Sequence, residues 1–211
     1  MSSAEPPEDC RLCPRLVAFR DTNREAFPGW FNAPVPSFGE NGARLLVVGL
    51  APGLRGANRT GRPFTGDYAG RLLYDTLAKF GFASGRYDER IDDGLRLNGC
   101  MITNAVRCVP PANKPETEEI KLCRGFLAAR IGACPHLRAI VALGRIAHDS
   151  TLRALGLRLA ACPFAHGAVH ELPGGAKLFD SYHCSRYNTN TGALTTEMFE
   201  SVFDGVRTHL K

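Results

Sequence analysis

Apolar positions along this chain alternate between short dense runs and longer stretches where they recur every three or four residues. The dense runs, Leu45–Leu50, Cys100–Thr103, Ala139–Leu143 and Lys177–Tyr182, have the length of buried strands. The intervening stretches read as helices. One begins behind Asp67, a candidate N-cap, and carries Leu72, Leu73, Leu77 and Phe80. A second follows Pro115, with Thr117 as candidate cap, Glu118 and Glu119 suited to the positive helix start, and a buried face of Ile120, Cys123, Leu127 and Ile131. A third spans about Arg145 to Leu155, behind Gly144. The last repeats Leu194, Met198, Val202, Val206 and Leu210, a stripe suited to core packing. The Pro- and Gly-rich stretch from Phe27 to Asn41 reads as an irregular lead-in to the first strand. Strand–helix alternation with right-handed crossovers predicts a parallel sheet covered on both faces.

Ligands of such sheets gather at the carboxyl ends of the strands. The loop after the first run is the richest there. Gly49-Leu50-Ala51-Pro52-Gly53 runs on through Asn58, Arg59 and Gly61-Arg62-Pro63-Phe64-Thr65-Gly66-Asp67. So much glycine lets backbone amides approach a ligand closely. The loop lacks both the Gly-Lys-Ser/Thr of a P-loop and the G-x-G-x-x-G dinucleotide fingerprint, so another planar or anionic ligand is expected. The second run ends in Thr103-Asn104-Ala105-Val106-Arg107-Cys108, and the fourth in Tyr182-His183-Cys184-Ser185-Arg186-Tyr187-Asn188-Thr189-Asn190-Thr191-Gly192. One crevice can therefore collect Phe64, Asp67, Asn104 and His183. A flat ring, an amide with both donor and acceptor, and an imidazole suit a nucleobase.

At 211 residues the chain is expected to form one domain over 1–211 with a sizeable core. A net charge of +5 suits a polyanionic partner without requiring one. No apolar run approaches the roughly 18 residues of a membrane span, and the polar segment Met1–Asp9 does not resemble a signal peptide. Eight cysteines without an export signal point to reduced thiols and a cytoplasmic location rather than a disulfide scaffold. Cys10 and Cys13 form a C-x2-C pair, and Cys108 and Cys123 have 14 residues between them. Two such pairs can converge on one metal and staple the terminus to the body. The spacing leaves zinc and an iron–sulfur cluster both open. Cys100, Cys134 and Cys162 lack paired spacing and read as structural, and Cys184 as a small packing residue.

Taken in order, these blocks resemble the uracil-DNA glycosylase superfamily, most closely its B-type, or family 5, branch. The resemblance is carried by Gly49–Gly53, Gly61–Asp67, Ile102-Thr103-Asn104, His183-Cys184-Ser185, Asn188–Gly192 and the four cysteines, and covers roughly residues 10 to 209. It implies an α/β fold of three layers, α/β/α, around a central four-stranded parallel sheet. It also implies a [4Fe–4S] cluster on Cys10, Cys13, Cys108 and Cys123 that ties segment 1–41 to the body. The implied activity is hydrolysis of the N-glycosidic bond of uracil, and of other deaminated or damaged bases such as hypoxanthine, in DNA after base flipping. The expected partner is DNA and the expected state a monomer.

Glycosidic cleavage builds positive charge on the sugar and negative charge on the leaving base. His183 is the candidate donor to uracil O2, where that negative charge grows. Phe64 would stack on the extruded base and Asn104 would read its edge, with Gly49, Ala51 and Gly53 assigned to the same base site. In several branches a carboxylate or amide stands two residues after the first-motif glycine, where this chain has Ala51. Asp67 is then the nearest carboxylate for positioning water, unless it only caps its helix, and Asn58 is the weaker polar candidate. Such an apolar first motif goes with a broader base range in this family. Arg59, Arg62, Lys114, Ser185 and Arg186 are candidate phosphate contacts, and Tyr187 or neighbours such as Asn188 candidates for the space left by the flipped base. One branch attaches covalently to DNA through a histidine after the Asn104 region. Thr103–Cys123 contains none. The competing reading is a non-catalytic iron–sulfur module that binds nucleic acid.

Overall fold

The computed structural model describes residues 3–211. Its strands are β1 (Phe38–Gly39), β2 (Leu45–Gly49), β3 (Ala83–Ser84), β4 (Arg96–Leu97), β5 (Cys100–Asn104), β6 (Ala139–Leu143), β7 (Val169–Glu171) and β8 (Lys177–Ser181). Its helices are α1 (Pro14–Ala26), α2 (Ala57–Thr60), α3 (Tyr68–Lys79), α4 (Thr117–Gly132), α5 (Arg145–Ala154), α6 (Arg186–Asn190) and α7 (Thr196–His209). The main sheet has the order β1-β5-β2-β6-β8-β7. Its inner four strands, β5, β2, β6 and β8, are parallel and are the four dense runs. The expected four-stranded parallel sheet is thus corrected to a mixed one of six strands, because β1 and β7 add antiparallel edges. Those edges are two and three residues long and partly exposed, too short for a period-2 pattern to register.

Every residue of β2, β5 and β6 is buried, as strands covered on both faces require. Alternation along β2 divides the core. Leu45 and Val47 pack with Leu73 and Leu77 of α3 and Phe199 and Phe203 of α7. Leu46 and Val48 pack with Leu127 of α4 and Ala147 and Leu152 of α5.

The helix starts follow local chemistry. Asp67 caps α3, its Oδ1 accepting from the Gly70 N–H at 3.1 Å. For α4 the cap is Glu116 rather than Thr117, in a reciprocal box with Glu119, whose carboxylate accepts from the Glu116 N–H at 2.7 Å. Leu194 is buried just ahead of α7, and the helix adds Phe199 and Phe203 to the expected stripe. Helix α1 has no counterpart in the sequence pattern, since its buried residues are Leu16, Arg20 and Asn23. Two of the three are polar, so no apolar stripe betrays it. The stretch from Phe27 to Asn41 is irregular apart from β1.

Register places the functional ends of the strands side by side. Gly49 pairs with Asn104 across β2 and β5, and Leu143 with Ser181 across β6 and β8. The three loops singled out above therefore leave the same edge. No helix among the described residues is long and apolar enough to cross a membrane.

Candidate active site and cysteine cavity

A cleft of about 410 Å³ opens at that edge, lined by Ala51, Gly53, Phe64, Asp67, Asn104, His183, Ser185 and Arg186 among others. Gly49 does not line the cleft itself but packs against Phe64 and Asn104, which do. A Cβ there would lie 2.6 Å from the Phe64 ring and collide with the Asn104 amide, so only glycine lets both side chains close over the strand end. Phe64 sits at φ +53°, a left-handed conformation uncommon outside glycine. Neighbouring hydrogen bonds hold it there: Tyr87 Oη donates to the Phe64 carbonyl at 3.0 Å and Tyr74 Oη to the Pro63 carbonyl at 2.6 Å. Its ring centroid lies 6.0 Å from that of His183.

Asn104 is 3 % exposed, and its Oδ1 has no hydrogen-bond partner among the described residues. A buried acceptor left unpaired costs roughly 1–3 kcal/mol, which a ligand N–H in the cleft would recover. His183 follows β8; the Asn188 amide donates to its carbonyl at 2.8 Å. Burial pushes its imidazole down to about 4, so at neutral pH the ring is uncharged and carries one N–H to donate. Asp67 both caps its helix and faces the cleft. Oδ1 caps α3, while Oδ2 lies over Gly53 and Gly56, where added Cβ atoms would approach it to 3.3 and 2.6 Å. Burial raises its pKa, against the opposing N–H groups of Gly70 and Ala69.

Other expectations are redirected. Asn58 is buried away from the cleft, its amide donating to Asn32 Oδ1 at 2.9 Å. It pins the lead-in loop and is not placed to handle water. Arg62 is 4 % exposed and forms a bidentate pair with Asp93 at 2.9 and 2.7 Å, with Nε on Thr65 Oγ1 at 2.7 Å. A desolvated guanidinium must be paired, and this one braces the Phe64 loop instead of meeting phosphate. Arg59 is exposed on α2 and lines a neighbouring groove with Trp30, Phe31 and Ile91. Lys114 is exposed just beyond Asn113, which does line the cleft. Arg186 stands at the lip with its guanidinium 5.2 Å over the Tyr68 ring, and Tyr187 is 76 % exposed. Ser185 caps α6, and Asn188 spends its amide on the His183 carbonyl, making it a support of the site. Asn113 and Tyr68 were missed: neither stands in the motif blocks, although Pro110-Pro111-Ala112-Asn113 is itself a turn signal.

Outside the cleft, His148, His170 and Asp180 come together. His148 Nδ1 lies 2.7 Å and His170 Nε2 3.1 Å from the Asp180 carboxylate, and His148 Nε2 lies 2.8 Å from the Cys162 carbonyl. Both ring nitrogens of His148 are thereby engaged, which makes the group a buried anchor for β8.

The four paired cysteines meet as expected. Cys10, Cys13, Cys108 and Cys123 line one cavity with Leu16, Val106 and Phe126. Cys13 opens α1, Cys123 lies on α4, and the Arg107 backbone N–H donates to Cys123 Sγ at 3.3 Å. Burial, and then the neighbouring thiols, push Cys13 and Cys123 up to about 11 and Cys108 to about 12, so each proton must be displaced by whatever binds. Ala51 packs against this group from the cleft side. Cys100 and Cys184 are buried in the main core, Cys134 and Cys162 belong to the other face, and no cysteine is disulfide-bonded.

Comparison with known proteins is consistent with this geometry. The family model of the uracil DNA glycosylase superfamily matches residues 36–207. A type-5 uracil-DNA glycosylase of Thermus thermophilus is 51% identical over 198 residues, covering 92% of this chain and 90% of that protein. One of Mycobacterium bovis is 44% identical over 203 residues, 92% of this chain and 75% of its own. One of Pyrobaculum aerophilum is 41% identical over 198 residues, 92% and 86% respectively. Similarity that extends through sheet, cleft loops and the cysteine-bearing α4 makes this chain a member of the uracil-DNA glycosylase superfamily.

Proposed function

We propose that this protein is a monofunctional DNA glycosylase that hydrolyses the N-glycosidic bond of uracil after the nucleotide is flipped into the cleft. The carrying observation is the buried, partnerless Asn104 amide oxygen in a pocket walled by Phe64 and a neutral His183. Oδ1 accepts from uracil N3–H and the amide NH2 donates to O4, while Phe64 stacks on the ring. Cytosine presents the reverse polarity at both atoms and leaves the amide unpaired. As the C1′–N1 bond breaks, negative charge grows at O2, where the His183 N–H stabilises it. Water adds to C1′ and gives its proton to Asp67 Oδ2, whose burial-raised pKa brings it nearer to neutral pH. The methyl of Ala51 contributes no acid–base chemistry, and the reading extends to a broader base range, hypoxanthine and ethenocytosine included. Arg186 at the lip, together with the exposed Arg59 and Lys114, supplies sequence-independent phosphate contacts.

The cysteine cavity fits a [4Fe–4S] cluster. Four thiols share it and a backbone N–H already points at one sulfur. When bound, the cluster supplies cross-linking of Cys10 and Cys13 to Cys108 and Cys123, so that segment 1–41 is held to the body of a one-domain monomer in a reducing cytoplasm. The test is base release by purified protein from single-stranded and duplex DNA carrying uracil, hypoxanthine or ethenocytosine. Release of uracil is expected. Salt-sensitive binding with no base released from any substrate would leave a non-catalytic nucleic-acid module.

A further inference from the structure

One group in the cysteine cavity has no task assigned to it. Cys13 stands at the N-cap position of α1, and Leu16, Val17 and Arg20 follow at helical spacing, so all line the cavity from one stripe. Arg20 is 3 % exposed. Its Nη1 donates to the Cys10 carbonyl at 3.1 Å, and its Nε is buried without any partner. Nearby acids are committed elsewhere: Glu5 to Arg107 and Arg130, Asp9 to Arg24, Glu119 to Arg15. Arg107 also lines the cavity, but its guanidinium is spent on Glu5, Ser37 and Thr103. Arg20 is left as a buried cation with no counter-ion among the described residues. Such a charge is strongly unfavourable unless an anion faces it.

We propose that Arg20 is the built-in counter-charge of the metal centre, supplying a fixed positive charge and the free Nε–H to the anion the cavity holds. This rests on the cluster reading, under which four thiolates on a [4Fe–4S]²⁺ core carry a net charge of two minus. The charge and hydrogen bonds around a cluster set its potential. Arg20 therefore stabilises the more reduced, more negative state and slows loss of iron.

The test compares anaerobically purified wild type, Arg20→Lys and Arg20→Met by iron release to a chelator and by dye-mediated redox titration of the visible absorbance. Arg20→Met is expected to lower the midpoint potential and to speed iron release at least tenfold, while Arg20→Lys stays near wild type in potential. A side chain that merely tethers the Cys10 carbonyl would change iron release but not potential. An unchanged potential in Arg20→Met overturns the proposal. If Arg20→Met fails to load iron, a loaded Arg20→Lys with wild-type potential supports it, and failure of both variants to load assigns Arg20 to packing and overturns it. Wild type lacking iron altogether would instead remove the cluster reading itself.

Discussion

Under the proposed mechanism, each candidate side chain in the cleft has a separable task. His183→Ala should slow release of every base by about 10²–10³, the usual loss for one donor to a developing anion, measured in single-turnover assays. Asn104→Ala should cost uracil more than hypoxanthine, since its amide matches the pyrimidine edge; equal losses would assign it to the backbone after β5. Asp67→Asn preserves an oxygen for the Gly70 N–H and removes the carboxylate, so folding and DNA binding should survive while most of the single-turnover rate disappears. The pH profile adds a signed check. If Asp67 takes the proton of the attacking water it works ionised, and because burial raises its pKa, the rate should fall with acidification through that raised value. His183 stays neutral down to about pH 4, so removal of the Asp67 carboxylate is the change that should abolish this acid limb. An acid limb that persists unchanged in Asp67→Asn would contradict the assignment.

At the scale of elements, the loop between β2 and α3 works only because its glycines admit close contacts and its one buried ion pair holds its shape. A methyl on Gly70 would overlap the Phe64 carbonyl oxygen, so Gly70→Ala should push Phe64 out of its left-handed conformation, lowering both stability and uracil affinity. Arg62→Met leaves Asp93, fully buried, without its guanidinium. Breaking a buried pair on one side costs about 3–5 kcal/mol, to be read by denaturant unfolding. The salt dependence of DNA binding by the folded fraction should stay as in wild type. Had Arg62 been a phosphate contact, as its place in the motif suggested, the outcome would be the reverse: a shallower salt slope and unchanged stability.

For the whole molecule, the cysteine cavity and the cleft are neighbours, joined through Ala51 and through the short step from Asn104 to Val106. Iron should therefore stabilise the fold that presents the cleft. Anaerobic preparations should be brown with about four irons per chain, and Cys108→Ala should lower yield and thermal stability more than it lowers the rate per folded molecule. A colourless protein with stoichiometric zinc would sink the cluster. Binding to uracil-free DNA should weaken by about 0.9 log units per log unit of salt for each phosphate contact, and a salt-insensitive complex would remove the arginine rim.

The four inner strands were legible in the sequence because burial on both faces leaves a dense apolar run. The helices α3, α4, α5 and α7 were legible because one face of each meets the sheet. Phe64, Asp67, Asn104, His183 and the four cysteines were legible because local motifs place each at a strand end or fixed spacing. Tertiary structure alone decided the rest. In a glycine-rich loop no periodicity tells inward from outward, so only packing shows Arg62 and Asn58 turned into the body and Asp67 divided between cap and cleft. Helix α1 turns Arg20 into a cavity completed by residues from elsewhere in the chain and buries Asn23 on its own Phe19 carbonyl, and a polar buried face leaves no hydrophobic trace. Edge strands β1 and β7 exist only because a neighbour offers them hydrogen bonds. That pairing is a property of the assembled sheet, absent from the two or three residues that complete it.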